Sequence, residues 1–346
     1  MLHKIPRHTH KIINKLDFLN LRFRAFKVIL RLLKTYLNKP NSVSIEKLRK
    51  RMEKFLSFYP FPDHLKKEGF TIEGMYAEWI SSENCSKEKV ILYLHGGGFS
   101  LGSCRTHRLL VGRIVRSANV KCLMIEYGLA PEKPFPYGLN DSVRAFHWLQ
   151  EQGYRAQDCV LMGDSAGGGL ALSTLLKLKE EKSPLPAATI CLSPWADLTC
   201  TSSYYEKNKG KDVIVSPQMV KKLAEQYLGG ERPDPKNPLV SPIFGDYSGC
   251  PPLFIQVGST EILLGDSMAV AKQAEKFKTP VSLEVWDQMP HGWHIFADFI
   301  PEGQQAIAAV GKFVRQCFGL PLIINKPVRN SDQSLQQDSL DLSDRA

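Results

Sequence analysis

The segment Gly163-Asp164-Ser165-Ala166-Gly167 sets one serine between two glycines, directly after an apolar run at 159–162 and directly before a helix-like stretch. A turn that sharp from strand into helix leaves no room for side chains at the flanking positions, and its strain holds a serine hydroxyl out where it can attack an acyl carbon. The bare pattern is weak, because an ordinary glycine-rich helix entry looks the same. The strand before it and the helix after it point to a nucleophile at Ser165, supported by Gly163, Asp164 and Gly167. A second motif, His95-Gly96-Gly97-Gly98, follows the apolar run 90–94. Attack on a carbonyl places charge on its oxygen, which needs preorganised donors about 3 Å away. Glycines let backbone N–H groups come that close, so Gly97 and Gly98 together with Ala166 form a candidate oxyanion hole, with His95 and Gly96 leading into it. A mere tight turn would not need three successive glycines.

A serine nucleophile needs a base, and the base needs an acid to orient it. In an α/β-hydrolase, the fold whose serine turn this segment resembles, the three follow in the order Ser, then Asp or Glu, then His. Two histidines lie beyond the last apolar run at 281–286: His291, at its mouth in Met289-Pro290-His291-Gly292-Trp293, and His294 as runner-up. The loop after the run 253–257 supplies Glu261 and Asp266 as acids. Glu261, three residues past Gly258, is nearer the strand end. Asp266 then reads as a charge at a helix N-terminus.

These side chains need a rigid frame. Apolar, β-branched runs at 90–94, 120–127, 159–162, 188–192, 253–257 and 281–286 alternate with helical stretches at 140–150, 168–181 and 267–277. That alternation predicts an α/β fold with a mostly parallel central sheet and helices on both faces. Residues 71–80 predict a hairpin or two short strands. The segment 199–249 breaks the rhythm and predicts an inserted helical excursion. The Ser-, Asp-, Gln- and Asn-rich stretch 326–346 reads as a disordered tail.

The first 60 residues carry 15 Lys/Arg against 3 Asp/Glu, whereas residues 61–346 carry 30 against 32. The net charge of +10 therefore belongs to an N-terminal arm, and the near-neutral body offers polyanions no net attraction, which excludes a nucleic-acid partner. Ile12, Leu16, Leu19, Phe23, Phe26, Leu30, Leu33 and Leu37 recur at spacings of three and four with basic residues between them. This predicts one amphipathic helix over 10–38, with residues 1–40 as a basic helical arm. Such a helix packs on the body, lies in a membrane interface as a peripheral contact, or forms a dimerising coil. A second basic helix is predicted from Ser44, an N-cap, to Tyr59, before Pro60 and Pro62. Eight widely spaced cysteines with no CxxC pair and no histidine cluster read as reduced core thiols of a cytoplasmic protein without a metal site. Neither a cleavable signal nor a 20-residue apolar span is expected.

Together these motifs resemble the hormone-sensitive-lipase family of serine esterases, which includes the arylacetamide-deacetylase-like enzymes, within the α/β-hydrolase fold. The resemblance covers about residues 45–320 and runs through Leu92-Tyr-Leu-His-Gly-Gly-Gly-Phe-Ser-Leu-Gly-Ser103, residues 127–136, residues 163–168, Leu192-Ser-Pro-Trp-Ala-Asp-Leu198, residues 237–242 and Pro252-Leu-Phe-Ile-Gln-Val-Gly-Ser-Thr-Glu261. It implies Ser165 as nucleophile, His291 as base and Glu261 as acid, where many relatives have Asp. It also implies that N-terminal helices form a cap, so that residues 41–325 make one hydrolase domain whose cap is formed by about 41–62 and 199–249. The activity implied is hydrolysis of short- to medium-chain carboxylic esters, with a small ester as substrate and no cofactor. The alternatives are a membrane-associated lipid deacylase and a catalytically silent binding member of the fold. Three positions depart from the family pattern: Gly128 stands where an arginine usually braces the loop 126–132, Gly169 replaces a common Asn, and Gly265 replaces a frequent Asp.

Overall fold

The computed structural model describes residues 8–13, 44–56, 60–230 and 232–322. In chain order the strands are β1 (His8–Ile13), β2 (Leu65–Ile72), β3 (Met75–Ser82), β4 (Ser86–Leu94), β5 (Val120–Ile125), β6 (Cys159–Asp164), β7 (Ala188–Leu192), β8 (Leu253–Gly258) and β9 (Val281–Trp286). The helices are α1 (Ile45–Leu56), α2 (Cys104–Ala118), α3 (Tyr137–Glu151), α4 (Ala166–Glu180), α5 (Tyr204–Lys207), α6 (Pro217–Leu228), α7 (Leu264–Lys276) and α8 (Pro301–Cys317). All nine strands form one sheet in the order β1-β9-β8-β7-β6-β4-β5-β3-β2. Among the described strands β3 alone runs against the common direction, so the predicted mostly parallel α/β sheet is what forms.

The reason lies in how the apolar runs divide. On β4, Val90, Leu92 and Leu94 enter one core, whereas Ile91 and Tyr93 enter the other. A strand with both faces apolar needs a helical layer on each side. One layer is α2 and α8, through Leu110, Ile114, Val310 and Val314. The other is α3, α4 and α7, through Phe146, Leu172, Leu175 and Val270. The stretch 71–80 is the end of the β2–β3 hairpin, whose two-residue turn puts Glu73 and Gly74 at positive φ, the twist that matches paired strands. Ser44 accepts a hydrogen bond from Lys47 N at 3.3 Å and starts α1 as expected. The excursion at 199–249 holds α5, α6 and a short 3-10 turn.

One expectation is corrected. Residues 10–13 do not begin a helix: His8–Ile13 is a strand, parallel to β9 in a register that pairs Thr9 with Ser282 and Ile13 with Trp286. The three- and four-residue spacing fits a helix, but β9 would otherwise leave a row of open N–H and C=O groups, and β-branched Thr9, Ile12 and Ile13 suit a strand that pairs with them. The rest of the predicted arm, and the tail at 326–346, lie outside the described residues, and the peripheral membrane expectation rests on that arm. No described helix is long and apolar enough to cross a membrane. All eight cysteines are unpaired, and five of them are buried.

The sheet order places the site. From β4 the chain passes through α2 to β5 on one side, then through α3 to β6 on the other side of β4. The direction of winding thus reverses between β4 and β6, and a crevice opens at their C-terminal ends. Leu94 pairs with Gly163, so the loop starting at His95 and the turn holding Ser165 leave the sheet side by side.

Candidate active site

Ser165 stands at the junction of β6 and α4 with φ +53 and ψ −123. This is a strained conformation for a residue with a side chain, and such strain persists only where the surroundings enforce it. Here Ser165 N donates to Leu192 O at 2.8 Å, and Ser165 O accepts from Trp195 N at 2.9 Å and Gly169 N at 3.1 Å. The flanking glycines are required: a Cβ on Gly163 would run into Gly167 O, and one on Gly167 into Leu94 O. Gly96 is fixed in the same way by the Asp164 carboxylate, which a Cβ would strike.

His291 leaves the loop after β9 and brings Nε2 to 2.9 Å from Ser165 Oγ. Its Nδ1 lies 2.8 Å from Glu261 Oε2. Glu261 is wholly buried in the loop after β8, and its Oε1 accepts from Gly258 N at 2.6 Å and Ser193 Oγ at 2.8 Å. The β8 and β9 loops are locked together, since Ser259 N donates to Trp286 O at 2.8 Å and Thr260 Oγ1 to Met289 O at 2.7 Å. Burial raises the Glu261 carboxyl above its ordinary 4.5, with His291 and the Gly258 amide pulling the other way. Burial pulls His291 down, but the Glu261 carboxylate more than offsets this and holds the imidazole above 6.5.

The rival acid and base sit elsewhere. Asp266 accepts from Ala196 N at 3.0 Å and Asp197 N at 2.9 Å, and burial raises its carboxyl well above 3.8. It holds the loop after β7 together and makes no contact with His291. His294 turns Nε2 to Gln256 Oε1 at 3.0 Å, and burial lowers it to about 3.

Beside Ser165, the loop after β4 runs through positive φ at Gly97, Gly98 and Phe99. Among the described residues the N–H groups of Gly97, Gly98 and Ala166 have no hydrogen-bond partner, and Ala166 opens α4, where the first N–H groups have none within the helix. Three free donors beside a serine hydroxyl can receive a developing oxyanion. Behind them Asp164 accepts from Gly96 N at 2.9 Å and Tyr93 Oη at 2.7 Å, and its second oxygen lies 3.4 Å from His107 Nε2. Burial would raise this carboxyl, but His107, Tyr93 and the Gly96 amide win and bring it down to about 2. His95 has Nδ1 2.9 Å from Gly96 O and stacks on Tyr127; burial, with His107 nearby, lowers it to about 3. It is a neutral structural ring.

Several of these residues escape sequence reading. Ser193 lies in a segment that carries the family resemblance, yet nothing local ties it to Glu261. From the excursion, Asn208 Nδ2 donates to Ser259 O at 3.1 Å and Glu261 O at 2.8 Å, and Asp212 Oδ2 accepts from Ile262 N at 3.0 Å. The excursion therefore grips the acid loop, and α6 lies on the β4 loop, where Tyr227 stacks on Phe99 at 3.8 Å and Leu223 packs against Gly98. The departures from the family pattern also have partners. Arg49 from α1 reaches the loop where Gly128 lacks a side chain. A Cβ on Gly169 would strike Trp195 O, and one on Gly265 would strike Ser202 Oγ.

Comparisons with known proteins follow the same lines. A family described as alpha/beta hydrolase fold matches residues 91–295. An acetyl-hydrolase of Streptomyces hygroscopicus is 41% identical over 249 residues, covering 72% of this chain and 82% of that protein. The solved structure of an esterase from the bacterial hormone-sensitive lipase family is 39% identical with a TM-score of 0.81, covering 86% of this chain and 98% of that one. EstE5 soaked with p-nitrophenyl butyrate is likewise 39% identical with a TM-score of 0.81, covering 86% of this chain and 99% of that one.

Proposed function

This chain belongs to the alpha/beta hydrolase fold family and to the hormone-sensitive-lipase esterases within it, and we propose that it hydrolyses short- to medium-chain carboxylic esters through an acyl-enzyme. Ser165 Oγ attacks the ester carbonyl while His291 Nε2 takes its proton. Glu261 keeps the other imidazole proton on Nδ1 and stabilises the imidazolium that forms. The amides of Gly97, Gly98 and Ala166 hold the oxyanion. The alcohol leaves with the proton from His291, which then activates water against the acyl-serine, and the serine is regenerated.

The observation that carries this reading is the unbroken chain Glu261 Oε2, His291 Nδ1, His291 Nε2, Ser165 Oγ, at 2.8 and 2.9 Å, ending beside three unused backbone donors. The size class is supported by the acetyl group in one relative's name and the butyrate soaked into EstE5, and α1 with α5 and α6 is proposed as the cap that bounds the acyl group. A series of p-nitrophenyl esters from acetate to palmitate tests both parts. The expected result is highest kcat/KM at acetate to hexanoate and loss of turnover in Ser165→Ala. No turnover by the wild type, or an active Ser165→Ala, overturns the mechanism; equal rates up to palmitate overturn the size class.

A further inference from the structure

Arg49 on α1 makes four hydrogen bonds away from its own helix. Its Nε donates to Ser100 O at 2.7 Å and Nη2 to Ala130 O at 2.8 Å. Nη1 and Nη2 also grip the Glu132 carboxylate at 2.9 and 2.8 Å. Ser100 directly follows Gly97, Gly98 and Phe99, whose φ values are +124, +63 and +58. Phenylalanine at positive φ is strained by about 1–3 kcal/mol, so this run must be held from outside. Phe99 O accepts from Ala130 N at 2.8 Å, which makes Ser100 O and Ala130 O two ends of one junction, and the guanidinium spans it. Two carbonyls met by a planar fork is a geometry that an ammonium group does not reproduce.

We infer that Arg49 is a positioning residue for ester hydrolysis. Through Ser100 and Ala130 it fixes the loop whose Gly97 and Gly98 amides face the oxyanion, and so makes the N-terminal helix part of the reaction geometry. The inference rests on the oxyanion reading above. Those amides meet full charge only in the transition state, so a slackened loop lowers kcat and kcat/KM together and leaves KM in place.

The test compares Arg49→Met, Arg49→Lys, Glu132→Gln and Ser165→Ala in the full chain, by kinetics on p-nitrophenyl butyrate, inhibition by a trifluoromethyl ketone that adds to the serine, and thermal melting. Loosening a positioned group by a fraction of an ångström to 1 Å costs about 10- to 100-fold. Arg49→Met and Arg49→Lys should both lose that much kcat, with KM within about twofold and the ketone Ki raised by the same factor as kcat/KM falls. Glu132→Gln, which keeps both carbonyl bonds, should stay within about twofold of wild type. If Arg49→Met does not fold, Arg49→Lys, which keeps the stem and the charge, still decides. Wild-type kcat in Arg49→Lys, a change in KM alone, or an unchanged ketone Ki overturns the inference. An active Ser165→Ala overturns the site reading beneath it, whereas an inactive Ser165→Ala beside fully active Arg49 variants overturns the Arg49 inference only.

Discussion

Replacing Glu261 by glutamine should change which nitrogen of His291 carries the proton. Oε1 of Glu261 already faces two donors, Gly258 N at 2.6 Å and Ser193 Oγ at 2.8 Å, while Oε2 faces His291 Nδ1 at 2.8 Å. In Glu261→Gln the amide oxygen takes the two-donor position, because an NH2 group there would oppose both. The NH2 is then turned toward Nδ1, which must accept, and the ring proton moves to Nε2. That nitrogen, 2.9 Å from Ser165 Oγ, becomes a donor and cannot take the serine proton. A wrong tautomer in a serine triad costs about 10⁴ in kcat, equivalent to about 5 kcal/mol of barrier. The pH profile moves as well. In the proposed mechanism His291 works as a neutral base, so activity should fall as pH drops through its pKa, which Glu261 holds above 6.5 against the pull of burial. Without the carboxylate, burial dominates and the acid limb shifts to lower pH under a much lower plateau. The assay is kcat and kcat/KM for p-nitrophenyl butyrate from about pH 5 to 9. A variant within tenfold of wild type, or an acid limb that stays or rises, refutes the reasoning.

Ser193→Ala removes one of the two donors on Glu261 Oε1 and should lower kcat about tenfold, since a hydrogen bond to a charged group contributes about 1.5–3 kcal/mol; single-turnover acylation rates check this. Asp164 lies at about 2 rather than 3.8, so its contribution of about 2 kcal/mol is complete above 3.8 and is lost as pH falls toward 2. His107, held up by Asp164 against burial, contributes below 6.5 and loses its share as pH rises through its raised value. Asp164→Asn should therefore lower stability by about 2 kcal/mol at pH 5 and flatten the acid-side decline, as read from urea unfolding at pH 3, 5 and 8. Gly167→Ala drives a methyl into Leu94 O and should abolish turnover or leave the chain insoluble, with soluble yield and esterase rate as the readouts.

How much of this was legible in the sequence depends on how locally each feature is determined. The turn at Ser165 and the loop at Gly96 to Gly98 are set by glycines next to one another, so their types and spacing are readable. His291 and Glu261 were reachable as candidates because an α/β-hydrolase places acid and base after the serine in chain order, and the loops following the runs 253–257 and 281–286 offer few of either. Ser193, Asn208, Asp212 and Arg49 were not, since each acts across a separation that carries no local signal: Arg49 reaches carbonyls 51 and 81 residues away. The strand at His8–Ile13 was misread for a related reason. Of its own residues only Ile12 belongs to the helical period read over 12–37, and it is the partner strand with unfilled hydrogen bonds that makes 8–13 a strand.

That strand has a consequence in time. Thr9 Oγ1 bonds Ser282 Oγ at 2.8 Å across 273 residues of chain, and every rung between β1 and β9 spans a comparable length. At about 5–20 residues per second of synthesis, residues 8–13 wait about 15–55 s for their partner to emerge. During that interval the strand has no template to pair with. Docking β1 is then one of the last steps of assembly, so mutations there should alter how fast the edge of the sheet opens far more than how fast the core forms.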